Sequence, residues 1–277
     1  MAIKAQKPVT NGMRFRVNLS TTKELTKPQV KKLLVPIKKT GGRSRGKISV
    51  RGRGGGHKRM YRLIDFKRHE KVNVEATVLA LEYDPNRSGH IALLEYEDGE
   101  KRYIVAPQDL KVGDKVFAGT NVKPRVGNAM PLSKIPLGTE VHNVELNPGG
   151  GSKVVRSAGQ SARVAAKEGD YATLTLPSGE VRLVPLDCYA TIGRVSNSEH
   201  SQIVHGKAGA KRHLGRRPKV RGVAMSAGDH PHGGGEGRTG PGRAVRDVWG
   251  KVVHGVPTRN KKKKSSRFIV KSRKDRK

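Results

Sequence analysis

The chain has 277 residues, with 57 Lys+Arg against 23 Asp+Glu, a formal net charge of +34 and a single cysteine, Cys188. An excess of that size makes a compact chain repel itself, so a polyanionic partner is expected to supply the missing negative charge. One cysteine excludes a disulfide framework and any multi-cysteine zinc site. No apolar run approaches the ~18 residues of a membrane-crossing helix, and residues 1–10 lack the apolar stretch of a secretory signal. These features fit a reducing, intracellular setting, with Cys188 as a small packing residue.

Residues 1–60 hold 17 basic residues and one acid, Glu24. A short helix is expected near residues 23–34, limited by Pro28. Residues 41–56 read GGRSRGKISVRGRGGG, too rich in glycine to bury a core. Gly41, Gly46 and Lys47 match most of a phosphate-binding loop. Ile48, however, stands where magnesium would need a hydroxyl, and no buried strand precedes it. The run 51–59 places Arg51, Arg53, His57, Lys58 and Arg59 on a freely turning backbone. Guanidinium groups so placed neutralise phosphates and stack on exposed bases.

Residues 61–200 carry 18 basic and 18 acidic residues, and eight of the aromatic residues lie there. Apolar and polar residues alternate over 72–84. Short β-branched or aromatic runs follow at 90–97, 101–106, 139–146, 161–167, 171–176, 180–184 and 189–196. Turn chemistry separates them at Asp98-Gly99, 168–170 and 177–179. Many short strands at this spacing imply small barrels or sandwiches, and about 140 residues is more than one five-stranded barrel needs. The Pro-rich stretch 123–136 is the natural division, giving domains at 61–125 and 126–200 between basic extensions at 1–60 and 201–277.

From residue 201 onward there are 22 basic and four acidic residues. A short helix is expected at 199–205, capped by Asn197 or Ser198. Otherwise both arms have too little apolar surface to offset ordering entropy and are expected to order only against a partner. Fully extended, the C-terminal arm would reach at most roughly 250 Å. GEGRTG at 235–240 spells a dinucleotide fingerprint but lacks the strand and helix that make it work. Asp229, His230, His232 and Glu236 could be drawn as a metal or acid/base cluster. The simpler reading is that glycine and histidine let backbone and imidazole approach phosphates closely, with no catalytic residue, metal or cofactor. The lysines at 261–264 would also suit a nuclear-import patch. The residues alone thus leave three readings: an RNA-binding structural protein, a chromatin architectural protein binding DNA through its Lys-rich tail, and an RNA-processing enzyme with His230 as general base.

Local strings narrow the choice. Residues 54–62 read GGGHKRMYR and lead into IDFKR at 64–68; YDPNRS stands at 83–88, VHNVE at 141–145 and RSAG at 156–159. GKAGAKRHLGRRPKVRGVAM follows at 206–225 and DHPHGGGEGR at 229–238. In this order and spacing the chain closely resembles the bacterial-type large-subunit ribosomal protein L-two family over nearly its whole length. The resemblance implies a mainly β fold, an OB-like fold followed by an SH3-like barrel, with long basic extended N- and C-terminal arms. It implies a non-enzymatic structural constituent bound to large-subunit rRNA, cytoplasmic and in the ribosome. Neighbouring ribosomal proteins and the small subunit would be its other partners, with roles in subunit association and in support of the peptidyl-transferase region.

By the same resemblance, the family's two key RNA-contacting arginines fall on Arg87 and Arg156. Further RNA contacts are expected in the basic C-terminal arm at Arg216, Arg217, Arg221, His230, His232 and Arg238. His230 falls on a histidine discussed for peptidyl transfer and is read as positioning, since RNA performs that chemistry. The residues themselves add a physical case. Asp84-Pro85-Asn86 is strong turn chemistry, which should put Arg87 on a loop tip beside a rigid barrel. Arg156 follows a Pro-Gly-Gly-Gly segment, and a planar fork on such a loop can hold phosphate bidentately or stack on a splayed base.

Overall fold

The computed structural model describes residues 3–20, 25–26, 30–38, 40–237, 240–242, 244–257, 259–260 and 262–275. The chain forms two compact units, one of residues 1–38, 58–208 and 267–277 and one of residues 39–57 and 209–266.

The first unit is built on two sheets. The first sheet holds β1 (Leu25–Thr26), β2 (Ala76–Glu82), β3 (Ile91–Tyr96), β4 (Lys101–Val105) and β5 (Lys115–Val116). Its order is β4-β3-β2-β5, antiparallel throughout, and β1 joins β2 in parallel with Leu25 opposite Leu81. Along β2 every second residue is fully buried, which is the period-two pattern seen in its sequence. β3 is buried at all but Glu95 because both faces of the sheet are covered. Its inward residues sort accordingly into two clusters. One joins Ala76, Val78, Leu94, Ile104 and Val116; the other joins Ala80, Ile91, Leu93 and Tyr103. In the second cluster the Tyr103 hydroxyl donates to the fully buried Glu82 carboxylate, 2.9 and 3.0 Å from its two oxygens. Desolvation and that carboxylate raise the phenol's pKa.

The second sheet holds β6 (Ala129–Pro131), β7 (Glu140–His142), β8 (Ala162–Glu168), β9 (Tyr171–Thr175), β10 (Val181–Pro185), β11 (Tyr189–Ile192) and β12 (Ile269–Lys271). The order is β6-β11-β7-β8-β9-β10-β12. Its core joins Met130, Ile135, Val141, Val164, Leu174 and Cys188. Burial, with Glu145 and Asp187 nearby, pushes the Cys188 thiol up to about 12, which leaves it a packing group. The strand expected over 139–146 breaks at Asn143, whose φ of 53° is left-handed, and Val144–Glu145 pairs instead with Ser152–Val154 in a separate ribbon.

Two elements differ from the expectations for the arms. β12 comes from the basic tail and completes the second sheet against β10, with Phe268 packing 5.9 Å from the Tyr171 ring. Phe268-Ile269-Val270 is a short apolar run amid charge; Phe268 and Ile269 are half-buried at the open sheet edge, while Val270 stays exposed. At 199–205 there is a 3-10 turn, Ser198–Gln202. Asn197 before it is left-handed and spends its side-chain amide on Ser88 O at 2.5 Å in place of capping. The helix expected at 23–34 lies partly outside the described residues, and its described part holds β1 and a 3-10 turn, Lys31–Leu33.

The second unit has little regular structure. Arg43–Ser44 and Lys47–Ile48 form a small hairpin turned by Arg45 and Gly46, with φ of 48° and 75°. Positive φ at both central residues is the mark of a hairpin turn that matches strand twist, so this segment is a hairpin and not a phosphate-binding loop. No helix of the described residues is long and apolar enough to cross a membrane.

Candidate RNA-binding interface

Asp84 organises the 84–88 loop. Its carboxylate is fully buried, and one oxygen accepts the Asn86 backbone N–H and the Asn86 side-chain amide, both at 2.8 Å. The other oxygen accepts Arg87 Nε at 2.6 Å. The Asn86 amide also donates to Met60 O at 2.6 Å, and Arg59 Nη1 donates to Pro85 O at 3.3 Å. Arg87 is therefore drawn back onto the barrel, its side chain 14% exposed, in contrast to the projecting tip expected from the turn chemistry. Its guanidinium lies 5.9 Å from both the Phe66 and Tyr61 ring centroids.

Arg156 reaches the same ring from the second sheet's side of the unit. It follows the Ser152–Val154 strand, its guanidinium sits 4.7 Å from the Phe66 centroid, and its Nη1 donates to Ser152 O at 3.3 Å. Ser152 N–H in turn donates to Phe66 O at 2.8 Å, which fixes the ring's backbone to the strand that carries the arginine. Val155, just before Arg156, holds a φ of 56°. That conformation is strained for a β-branched residue by about 1–3 kcal/mol and aims the following side chain.

The loops that carry the two arginines are also bonded to each other. Ala158 N–H donates to Ser88 Oγ at 3.0 Å, and His90 N–H donates to Ser196 Oγ at 3.1 Å. Pro107 bridges Val195, and Ser196 N–H donates to Ala106 O at 3.1 Å. The two loops thus bring Arg87 and Arg156 together on Phe66, with Arg59 bonded to the 84–88 loop. Guanidinium over an aromatic face contributes about 0.5–2 kcal/mol per contact and sets the plane of the fork before any ligand arrives. No site role for Phe66 is legible in the sequence, where IDFKR shows only an aromatic between charges. The signal that could have found it is its place among the strings shared with the family.

Of the remaining expected contacts, Lys58 is exposed in the first unit. In the second unit Arg51, Arg53, His57, Arg216, Arg217 and Arg221 are all exposed. Their backbones are stitched together: Arg53 bridges Arg216, Arg217 N–H donates to Gly52 O at 3.0 Å, and His57 N–H donates to His213 O at 2.9 Å. Two segments that read as separate arms are one paired ribbon here, so each orders against the other. Gly56 makes the approach feasible, since a Cβ there would lie 2.7 Å from Gly215 N. Paired backbones leave the side chains projecting as a row of cations.

His230 and His232 sit in a second loop of that unit, with ring centroids 5.2 Å apart. His230 Nδ1 accepts the His232 N–H at 3.1 Å, and the buried His232 accepts the Arg246 N–H on Nε2 at 2.7 Å. The His230 ring packs on Gly222, where a Cβ would fall 2.3 Å from it. Both imidazoles act as backbone acceptors that hold the loop. Among the described residues no group of His, Cys, Asp and Glu could hold a metal ion. Arg238 lies outside the described residues, as does Lys261 of the Lys-rich patch.

The charge distribution and the double-sheet body place the chain among polyanion-binding β-proteins. Residues 30–118 match the family described as Ribosomal Proteins L2, RNA binding N-terminal domain, and residues 125–250 match Ribosomal Proteins L2, C-terminal domain. The chain belongs to the ribosomal protein L2 family. It is mainly β, an OB-like fold followed by an SH3-like one, and it is a structural ribosomal protein that binds rRNA in the large subunit.

Proposed function

We propose that the protein docks on structured large-subunit rRNA through Arg87, Arg156 and Phe66, while the basic segments neutralise phosphates between RNA helices. The observation that supports this is the convergence of two arginines, one from each sheet's side, on a single aromatic ring. A pre-set pair of forks suits a particular fold of RNA, whereas exposed cations on glycine-rich backbone suit any phosphate. In this reading, residues 61–125 are the OB-like RNA-binding domain, 126–200 the SH3-like domain, and 1–60 and 201–277 the basic extensions. Arg51, Arg53, His57, Lys58, Arg59, Arg216, Arg217, Arg221, His230, His232 and Arg238 supply the further contacts.

The same reading makes the protein a non-enzyme of cytoplasmic ribosomes that stands beside other ribosomal proteins, faces the small subunit and supports the peptidyl-transferase region. His230 favours positioning over catalysis on chemical grounds. Its Nδ1 accepts the His232 backbone N–H, so that lone pair is committed to holding the loop. Arg87→Ala and Arg156→Ala are each expected to weaken binding to cognate rRNA by about 1–3 kcal/mol while leaving affinity for random RNA nearly unchanged. Equal losses on both RNAs would defeat the division of labour.

A further inference from the structure

Trp249 is the chain's only tryptophan, and it is 75% exposed. An indole is ordinarily buried, because its large apolar face gains most from leaving water. Here the residue stands on a constructed tip. Arg246 bridges Val252 in antiparallel fashion, and Val253 N–H donates to Val245 O at 2.9 Å. Asp247 N–H donates to Lys251 O at 2.8 Å, and Gly250 N–H donates to Asp247 O at 3.1 Å. The turn closes through Gly250 at a φ of 82°. Asp247 Oδ1 accepts the N–H groups of Trp249 and Lys251, both at 2.9 Å. Arg246 braces the tip from beneath, its Nη1 donating to Gly250 O at 2.9 Å. Through its backbone N–H it also ties the hairpin to His232.

Charge selects the occupant of this tip. Residues 39–57 and 209–266 carry 21 Lys+Arg and three acids, so the unit's partner surface is anionic. The hairpin's own acid, Asp247, directs its carboxylate at two backbone amides, whose dipoles offset its charge. Lys251, two residues after Trp249 on the same hairpin, is exposed. A rigid aromatic face next to a cation, within a cationic unit, matches an unstacked base and its phosphate. We propose that Trp249 is a stacking anchor for an unpaired nucleotide of RNA, with Lys251 on the neighbouring phosphate. The inference rests on the RNA-binding reading and names one site within it.

Since Trp249 is the only indole, tryptophan emission from the full chain reports this site alone. Titration with deproteinised large-subunit rRNA at fixed salt is expected to quench it. Trp249→Ala should weaken binding between about fivefold and a hundredfold, with Trp249→Phe intermediate. The melting temperature should not move, because the ring belongs to no core. Emission that stays constant while sedimentation shows saturated binding would overturn the anchor and leave RNA binding standing. Quenching with undiminished affinity in Trp249→Ala would overturn it equally. So would a blue shift without quenching that requires other large-subunit proteins, which would assign the tip to a protein partner. Absence of rRNA binding by the unaltered chain would instead overturn the RNA-binding reading itself.

Discussion

In the two sheets of the first unit, order comes from apolar burial. β3 loses nearly all its surface on both faces, and the second sheet closes on a core that runs from Met130 to Ile192. In residues 39–57 and 209–266 order comes from peptide hydrogen bonds between glycine-rich segments, as where Arg53 meets Arg216. Residues 61–200, which hold most of those two sheets, carry 18 basic and 18 acidic residues and spend a few key cations on pre-set geometry. The second region leaves a row of cations exposed on a backbone that satisfies itself. A protein can therefore recognise a shape with one region and a polyanion with the other, provided the core of the first owes nothing to the charge of the second.

Salt gives the largest expected effect on this contrast. If the basic unit neutralises six to ten phosphates, affinity should fall roughly a thousand- to a hundred-thousand-fold between ~50 and ~200 mM salt. Changing Lys262, Lys263 and Lys264 together to Gln should lower the log–log slope by about 0.9 for each phosphate that is no longer neutralised. A slope untouched by these changes, measured by filter binding, would mean that the tail does not meet phosphate.

Acid should separate the regions next. His142 is fully buried in the second sheet, with Nδ1–H donating to Gly193 O at 2.8 Å, and burial pushes its pKa from 6.5 down to about 4. Between those values the unfolded chain takes up a proton that the native chain refuses. The contribution is complete above pH 6.5 and is lost as pH falls toward 4, by roughly 3 kcal/mol. In denaturant melts across this window, His142→Gln should flatten the slope. An unchanged slope would place the acid sensitivity elsewhere.

Smaller effects test how separate core and interface are. Tyr103→Phe removes the one hydroxyl donor shared by both oxygens of a buried carboxylate and should destabilise the first sheet by about 1–3 kcal/mol. Affinity of the folded protein for rRNA should hold; a parallel loss would mean that the core shapes the Phe66 surface directly. Phe268→Ala should cost about 1 kcal/mol of stability, because no ring then packs on Tyr171. No change in melting would show that the tail strand adds nothing to the sheet.

Taken alone, the sequence determined the partition of charge, the strand-rich centre and the strings that identify the family. Each is a local property, since net charge, period-two alternation and turn residues are readable within a few positions. Only the tertiary structure decided that Arg87 and Arg156 meet on Phe66, because that depends on how loops distant in sequence are bonded together. It also decided that Arg87 folds back onto Asp84, that residues 51–57 pair with 212–217, and that Ile269–Lys271 returns to the second sheet. Pairing through glycine-rich backbone leaves no side-chain period to read, and three apolar residues in a charged tail acquire meaning only when an open sheet edge lies within reach.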